Sequence, residues 1–180
     1  MIEVESKFWS PGNERVEKAL VALGAKRLSQ CDMEDVYFSH PARDFGKTDE
    51  ALRLRKMEGL SELTYKGPRM KVQDVKAREE ITLKSPDPVD VQRIVERLGF
   101  KELHVVRKKR TSYLLDKLKV EVDEVEGLGE FVELEALTES PERAAQLMEL
   151  ARKELGLDRP EQKTYLEMLL ERRPRDRPSR

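Results

Sequence analysis

MIEVESKFW, residues 1–9, alternates charged and uncharged side chains from its second residue onward. Glu3, Glu5 and Lys7 fall on one face of an extended strand and Val4 on the other, because successive side chains of a strand point to opposite sides. Taken alone, the pattern is typical of any strand with one buried and one solvated face. What the other strands carry on the matching face decides whether this face meets solvent or lines a binding site.

Alternation with a period of two recurs along the chain and predicts strands over eight segments. The segments are residues 2–9, 33–39, 50–57, 60–66, 74–84, 103–115, 118–125 and 129–137. Most of the connections are short, and Gly59 lies where a tight hairpin turn belongs. Short connections favour an antiparallel sheet.

Apolar residues at helical spacing predict three helices between these strands. The first begins at Ser10-Pro11, where Ser10 suits the cap and Pro11 the first helical position. The second follows Ser85-Pro86-Asp87-Pro88 and the third follows Ser140-Pro141, and all three end at a Leu-Gly pair, with Gly24, Gly99 and Gly156. Helices at three connections of an antiparallel sheet place the chain in the α+β class.

Charged side chains repeat the i, i+2 spacing on one face of most predicted strands. The acids are Glu3, Glu5, Glu80, Asp123, Glu133 and Glu135, and the bases are Lys7, Arg53, Arg55, Lys66, Arg78 and Arg110. A solvated face explains any single strand, but so many paired charges favour a sheet curled into a barrel, with a polar tunnel inside and helices on the apolar outside. Carboxylates suit Mg²⁺ or Mn²⁺, and Arg and Lys suit phosphate, so the complementary ligand is a polyphosphate carrying a divalent metal.

Composition limits the alternatives. The chain has 180 residues, with 35 Lys and Arg against 36 Asp and Glu, so it lacks the overall basic charge typical of nucleic-acid binders. Cys31 is the only cysteine and there are two histidines, which argues against a disulfide framework or a thiol metal site.

With no apolar run near the roughly 20 residues of a membrane span, we expect a cytoplasmic protein. The Arg-rich segment 171–180 is expected to be a disordered tail.

The motifs of the charged face resemble, in order, those of the CYTH domain, the family of triphosphate tunnel metalloenzymes. They are Glu3-x-Glu5-x-Lys7, Asp35-x-Tyr37-Phe38, Arg53-x-Arg55, Lys66 in TYKGP, Arg78 with Glu80, Arg110 in KRTSY, Asp123 in VDEVEGLG, Glu133-x-Glu135 and Lys163 in KTYLEML. The resemblance covers residues 1–170, and the stretch YFSHPARDFGKTDEALRLR, residues 37–55, is most similar to class IV adenylate cyclases.

This resemblance implies a closed eight-stranded antiparallel barrel with helices packed outside it, a homodimer, and a tunnel that binds ATP or another triphosphate with Mg²⁺ or Mn²⁺. The implied metal ligands are Glu3, Glu5, Glu133 and Glu135, with Asp123 and Glu80 as further candidates. The implied phosphate contacts are Lys7, Arg53, Arg55, Lys66, Arg78, Arg110 and Lys163. Glu3, Glu5 and Lys7 are the implied catalytic residues, whereas Lys76 and Lys108 share the face but match the motifs less closely.

The expected activity is that of a divalent-metal-dependent adenylate cyclase, which converts ATP to 3′,5′-cyclic AMP and pyrophosphate. A triphosphatase acting on inorganic tripolyphosphate, thiamine triphosphate or a nucleoside triphosphate is the alternative, because the motifs specify the phosphate contacts better than the nucleophile. A polyphosphate-binding module without catalysis and a structural barrel with a charged exterior are the remaining readings. Neither a membrane nor a specific nucleic acid is expected as a partner.

Overall fold

The structure, a computed structural model of the chain, describes residues 2–68, 70–72, 75–77, 79–138 and 140–172. The side chains of residues 2, 3, 70–72, 75–77, 137, 138 and 141 lie outside this description. The strands are β1 (Ile2–Trp9), β2 (Lys26–Ser39), β3 (Ala51–Met57), β4 (Leu60–Lys66), β5 (Met70–Val72), β6 (Val75–Ala77), β7 (Glu80–Ser85), β8 (Lys101–Leu115), β9 (Leu118–Val125), β10 (Gly129–Thr138) and β11 (Arg159–Glu161). The helices are α1 (Asn13–Ala22), α2 (Phe45–Thr48), α3 (Pro88–Arg97), α4 (Pro141–Glu154) and α5 (Tyr165–Arg172).

Nine of the strands form one antiparallel sheet in the order β11-β1-β10-β9-β8-β2-β3-β4-β7. The other two, β5 and β6, form a separate antiparallel pair, and Cα atoms of β6 come within 8 Å of those of β1. The antiparallel sheet with its helices confirms the α+β prediction. The closed eight-stranded barrel is not confirmed, because among the described residues the sheet has nine strands and ends at β11 and β7.

The strand bounds differ from the alternation pattern mainly at β2, which begins at Lys26 rather than at residue 33. The first half of β2 pairs with β8 only, since pairing with β3 begins at Glu34. Residues 26–30 are exposed, so both faces meet solvent and no alternation marks them in the sequence. The predicted strand 74–84 contains all of β6 and most of β7, and neither β5 nor β11 was predicted.

One face of the sheet is apolar and is covered by α1, α4 and α3. Val16 and Leu20 of α1 lie four residues apart, which places them on one helix face, and both are fully buried against the cluster that contains Leu134. On β2 and β3, Leu54 packs in a second cluster with Val95 of α3. These clusters confirm that the apolar parity of the strands faces the core.

The helix starts agree only in part with the prediction. At α3, Asp87 is the N-cap, and its carboxylate accepts a hydrogen bond of 2.9 Å from the Val89 N–H, with Pro88 in the first turn. At α1, however, the helix begins at Asn13 rather than at Ser10-Pro11. The Ser10 hydroxyl instead accepts a hydrogen bond from the backbone N–H of the residue just before that helix.

The last helix, α5, corrects the expectation that every helix packs on the apolar outside. Tyr165 and Met168 of α5 are buried against Val106, Val125 and Phe131. These three side chains lie on the same face of their strands as the charged residues. The helix α5 therefore covers one end of the charged face, opposite the apolar face that α1, α3 and α4 cover. The helix runs to Arg172, and residues 173–180 of the predicted tail lie outside the described residues. None of the described helices combines the length and apolar composition needed to cross a membrane.

Candidate functional site

The charged side chains lie on the face of the sheet opposite α1, α3 and α4, which we call the polar face. Its most buried members are all exposed by 6% or less: Asp35, Lys108, Arg110, Glu121 and Asp123. A buried charge is costly unless it is paired and hydrogen-bonded. Burial on this face therefore requires partners on neighbouring strands, and the antiparallel register supplies them.

Arg110 is the centre of the polar face. On β8 it lies opposite Asp123 of β9, and its Nε donates a hydrogen bond of 2.6 Å to Asp123 Oδ1. Its Nη2 reaches one strand further and donates to Glu133 Oε2 of β10. Burial alone would lower the pKa of Arg110, but the carboxylates of Glu133 and Asp123 raise it well above its ordinary value. The guanidinium is thus a permanent buried cation.

Lys7 approaches the same carboxylate from β1. It is opposite Glu133 in the register, and its Nζ lies 3.2 Å from Glu133 Oε1 and donates to the Lys163 carbonyl oxygen at 3.2 Å. Burial of Glu133 opposes ionisation, but the charges of Arg110, Lys7 and Lys108 outweigh it and hold the pKa of this carboxyl well below its ordinary range. Glu133 is therefore an anion shared by at least two cations.

Lys108 adds a second buried cation beside Arg110. Its Nζ lies 3.5 Å from Asp123 Oδ2 and 4.0 Å from Asp35 Oδ2, and it stands 5.1 Å from the ring centroid of Tyr165. The Tyr165 hydroxyl in turn donates to Asp123 Oδ2 at 2.9 Å. Burial, with the nearby charge of Arg110, lowers the pKa of Lys108 to about 8. The Lys108 ammonium is thus neutralised more easily than that of an ordinary lysine.

Arg55 and Asp35 form a bidentate pair next to this group. They are opposite each other on β3 and β2, and Arg55 Nε and Nη2 donate to the two Asp35 oxygens at 2.6 and 2.8 Å. Burial would raise the pKa of Asp35, but the Arg55 hydrogen bonds and the charge of Arg53 hold it well below its ordinary range. Arg53 Nε is buried without a hydrogen-bond partner among the described residues, so it has a donor available for a ligand.

Carboxylates dominate the β1–β10–β9 end of the polar face. Glu5 is exposed and lies opposite Glu135, which lies opposite Lys119 in turn. Lys119 Nζ is 3.3 Å from Glu135 Oε2 and also contacts Glu121 Oε1. Burial raises the pKa of Glu135, and the charges of Glu133 and Glu121 add to this. The carboxyl of Glu135 is therefore harder to ionise than an ordinary glutamate, chiefly because it is shielded from water.

Other predicted site residues do not join these contacts. Lys66 pairs with Glu80 at 2.6 Å on β4 and β7, and Lys163 Nζ pairs with Glu171 at 2.6 Å near the surface. Arg78 and the side chain of Glu3 lie outside the described residues. The structure therefore brings Lys7, Arg110, Asp123 and Glu133 into one connected group, with Arg55 beside it.

Sequence reasoning did not assign site roles to four participants: Asp35, Glu121, Lys119 and Tyr165. The first three share the parity of assigned neighbours, for example Glu121 with Asp123, so alternation alone was sufficient to find them. Tyr165 reaches the polar face only because α5 folds over it. That placement depends on tertiary packing, which no local pattern predicts.

A divalent metal fits the donor chemistry of the acidic end. Carboxylate oxygens are the ligands that Mg²⁺ and Mn²⁺ prefer, and Glu5 on β1 and Glu135 on β10 supply them from directly opposite positions. However, no three Asp, Glu, His or Cys side chains of the described residues are arranged to hold an ion by themselves. Glu133 and Glu135 pair with Lys and Arg instead, so ion binding requires these pairs to rearrange.

Comparison with known proteins identifies relatives over almost the whole chain. The CYTH domain family matches residues 1–165. MJ0240 of Methanocaldococcus jannaschii, named as a candidate adenylate cyclase, is 38% identical over 174 residues, which cover 93% of this chain and 98% of that protein. The adenylate cyclase CyaB of Aeromonas hydrophila is 27% identical over 162 residues, covering 86% of this chain and 81% of CyaB.

Solved structures show the same fold. PH1819 of Pyrococcus horikoshii superimposes with a TM-score of 0.82 at 38% identity, covering 95% of this chain and 99% of that one. HpAC1 of Hippeastrum, an adenylyl cyclase candidate described as having a dominant triphosphatase activity, gives a TM-score of 0.72 at 24% identity, covering 94% and 95%.

Proposed function

The chain belongs to the CYTH domain family, and from that premise we propose a divalent-metal-dependent enzyme that binds ATP on its polar face and converts it to 3′,5′-cyclic AMP and pyrophosphate. The observation that carries the proposal is the buried group in which Arg110, Lys7 and Lys108 surround Glu133 and Asp123. The names of the relatives MJ0240 and CyaB support the cyclase form of the activity.

The energetics of the polar face support ligand binding over a structural role. Replacing a buried ion pair by well-packed apolar residues is often neutral or stabilising, so such a group is a weak source of stability. A triphosphate gives these cations a second use, because its oxygens accept from Arg and Lys at short range. Lys7, Arg53, Arg55 and Arg110 are the phosphate contacts that we assign, with Lys108 beside them.

The metal would be held at the acidic end. Glu5 and Glu135 are opposite each other on β1 and β10, and Glu133 is two residues from Glu135 on the same face. When bound, a divalent ion neutralises charge on the phosphate oxygens and draws electron density from the phosphorus that is attacked. Glu5, Glu133 and Glu135 orient that ion, while the cations of the polar face orient the phosphate chain.

In the cyclase reaction the ribose 3′-oxygen forms a bond to the α-phosphorus. The bond from that phosphorus to the bridging oxygen breaks, pyrophosphate leaves with the electron pair, and the 3′-hydroxyl proton is released. Negative charge builds up on the oxygens of the leaving pyrophosphate. Arg110 and Lys7 stabilise this charge, and they do so strongly because their surroundings have a low dielectric constant. Tyr165 and the rest of α5 cover one end of the face and exclude water there.

A triphosphatase is the second candidate, in which water replaces the ribose hydroxyl and attacks the terminal phosphorus. The described ion pairs favour it in one respect: every cation of the polar face suits phosphate oxygens, so binding does not require a nucleoside. HpAC1 of Hippeastrum, described as having a dominant triphosphatase activity, has the same fold.

Product analysis separates the candidates. The purified chain is incubated with ATP, inorganic tripolyphosphate or thiamine triphosphate, with and without Mg²⁺ or Mn²⁺. Cyclic AMP with pyrophosphate from ATP supports the cyclase. Orthophosphate together with the matching diphosphate (ADP, pyrophosphate or thiamine diphosphate), and without cyclic AMP, supports the triphosphatase. Metal-dependent binding without turnover supports a binding module, and the absence of both binding and turnover overturns the proposal.

A further inference from the structure

Strand β7 forms an open edge of the sheet. It spans Glu80–Ser85 and pairs with β4 on one side, and no strand of the described residues pairs with its other side. Ile81 and Leu83, which it carries on the apolar face, are 60% and 62% exposed. An unpaired edge with exposed apolar side chains is a template for the addition of another strand. This edge is therefore a candidate interaction surface.

The backbone of β7 determines which groups face the open edge. Just before β7, the Gly67 N–H donates to the Glu79 carbonyl oxygen at 2.9 Å, so these residues form a hydrogen-bonded pair that continues the β4–β7 register. Hydrogen-bonded and non-hydrogen-bonded pairs alternate along an antiparallel ladder. The N–H and C=O groups that point away from β4 are therefore those of Glu80, Thr82 and Lys84.

We propose that this edge of β7 binds the same edge of a second copy of the chain, which joins the two sheets across a twofold axis. Among twofold antiparallel pairings, only the one centred on Thr82 matches all three outward residues with outward residues of the copy. Thr82 then lies opposite Thr82 of the second copy, and Glu80 lies opposite Lys84 at both ends. The contact contains about six backbone hydrogen bonds.

The charges on the polar face fit this register. Within one chain, Glu80 lies opposite Lys66 at 2.6 Å and Lys84 lies opposite Glu62 at 3.4 Å. Across the axis the row continues from Lys66 and Glu80 to Lys84 and Glu62 of the second copy, so neighbouring charges alternate in sign throughout. Opposite charges in directly opposed positions stabilise a strand pair. The backbone and the charges thus select the same register independently.

The apolar face fits the same register. Ile81 lies opposite Leu83 of the second copy, and within each chain these side chains already lie beside Tyr65 and Leu63 of β4. Pairing extends this apolar row across the axis and shields from water two side chains of each copy that are exposed in the single chain. Because the edge is complementary to itself on both faces, it favours a second copy over a strand of another protein.

Charge reversal tests this register. Sedimentation velocity measures the dimer dissociation constant of the wild type, Glu80→Lys, Lys84→Glu and an equimolar mixture of the two variants, with Lys26→Glu, on the exposed part of β2, as the control. Each variant alone places like charges opposite each other at both ends, so its dimer should be at least about tenfold weaker. In the mixed dimer opposite charges meet again at both ends, so its affinity should return to near that of the wild type.

The mixture separates the contact between chains from effects within one chain, because each variant chain has the same internal contacts alone and mixed. The control should dimerise like the wild type. A monomeric wild type, or a mixture that associates no more tightly than the single variants, overturns the inference.

Amide hydrogen exchange of the wild type, followed by NMR well above and well below the dissociation constant, locates the contact. The amides of Glu80, Thr82 and Lys84 should exchange several-fold more slowly in the dimer, because they gain hydrogen bonds only there. The amides of Ile81 and Leu83 bond to β4 in both states and should change less. A dimer in which the three outward amides exchange as fast as in the monomer overturns the proposed surface.

Discussion

Glu133 and Leu134 are neighbours on β10, yet they face opposite environments. Leu134 is fully buried among the side chains of α1 and α4, whereas Glu133 lies on the polar face between Arg110 and Lys7. The apolar face stabilises the fold by removing hydrocarbon from water, which is non-directional. The polar face is held by specific pairs whose net contribution to stability is small. A change on the apolar face should therefore lower stability and leave turnover largely intact, whereas removal of one charge from the polar face should lower turnover as well.

The largest effect on activity is expected for Arg110→Met. Removal of the guanidinium leaves Asp123 and Glu133 poorly compensated and removes stabilisation of the leaving group, so turnover should fall at least about 100-fold. The free energy of unfolding should fall by roughly 3 kcal/mol, as when one partner of a buried pair is removed. Product formation and urea unfolding measure the two quantities.

Arg107→Met is the matched control on the same strand. Arg107 is on the other face of β8, where it pairs with Glu34 and is largely exposed. Its loss should change the unfolding free energy by less than about 0.5 kcal/mol and leave turnover unchanged. Equal losses in the two variants would show that the faces of β8 are not functionally distinct.

Leu134→Ala tests the apolar face. The lost methyl groups and the cavity left behind should lower the unfolding free energy by about 3 kcal/mol. Turnover per folded molecule should stay within about twofold of the wild type, since the substitution removes no charge from the polar face. A strong fall in turnover below the unfolding transition would contradict the separation of roles.

Asp35→Asn tests the pH dependence of the polar face. The pKa of Asp35 is depressed in the folded chain, so its carboxylate stabilises the fold at pH values above its ordinary range, and this stabilisation is lost as the pH falls through that range toward the folded pKa. The wild type should therefore lose stability on acidification more steeply than the variant. Urea unfolding between neutral pH and about pH 3 measures the two slopes, and equal slopes would contradict the pairing with Arg55.

Among the variants at residues to which the motifs assign a phosphate contact, the smaller effect on turnover is expected for Lys163→Met. In the structure its ammonium pairs with Glu171 near the surface, away from Glu133, although its backbone oxygen accepts from Lys7. A backbone contact survives the substitution, so we expect turnover to fall less than about threefold. A fall in turnover as large as that of Arg110→Met would indicate that the Lys163 ammonium contacts phosphate directly, as the motif implies.

These contrasts also show what a single sequence can predict here. Alternation identified both faces of β10 and the charged parity of β8, because a residue's face follows from its position in a strand. It missed the first half of β2, since side chains exposed on both faces need no alternation. It also missed Tyr165 on the polar face, because the path of α5 depends on apolar contacts with Phe131 and Val125 that only folding brings together.

The most direct test of the central claim is binding of inorganic tripolyphosphate, measured by titration calorimetry with Mg²⁺ present. The account predicts saturable binding by the wild type and by Arg107→Met, and affinity at least about 100-fold weaker for folded Arg110→Met. Binding of equal strength by all three proteins would contradict the claim that the polar face is the triphosphate site.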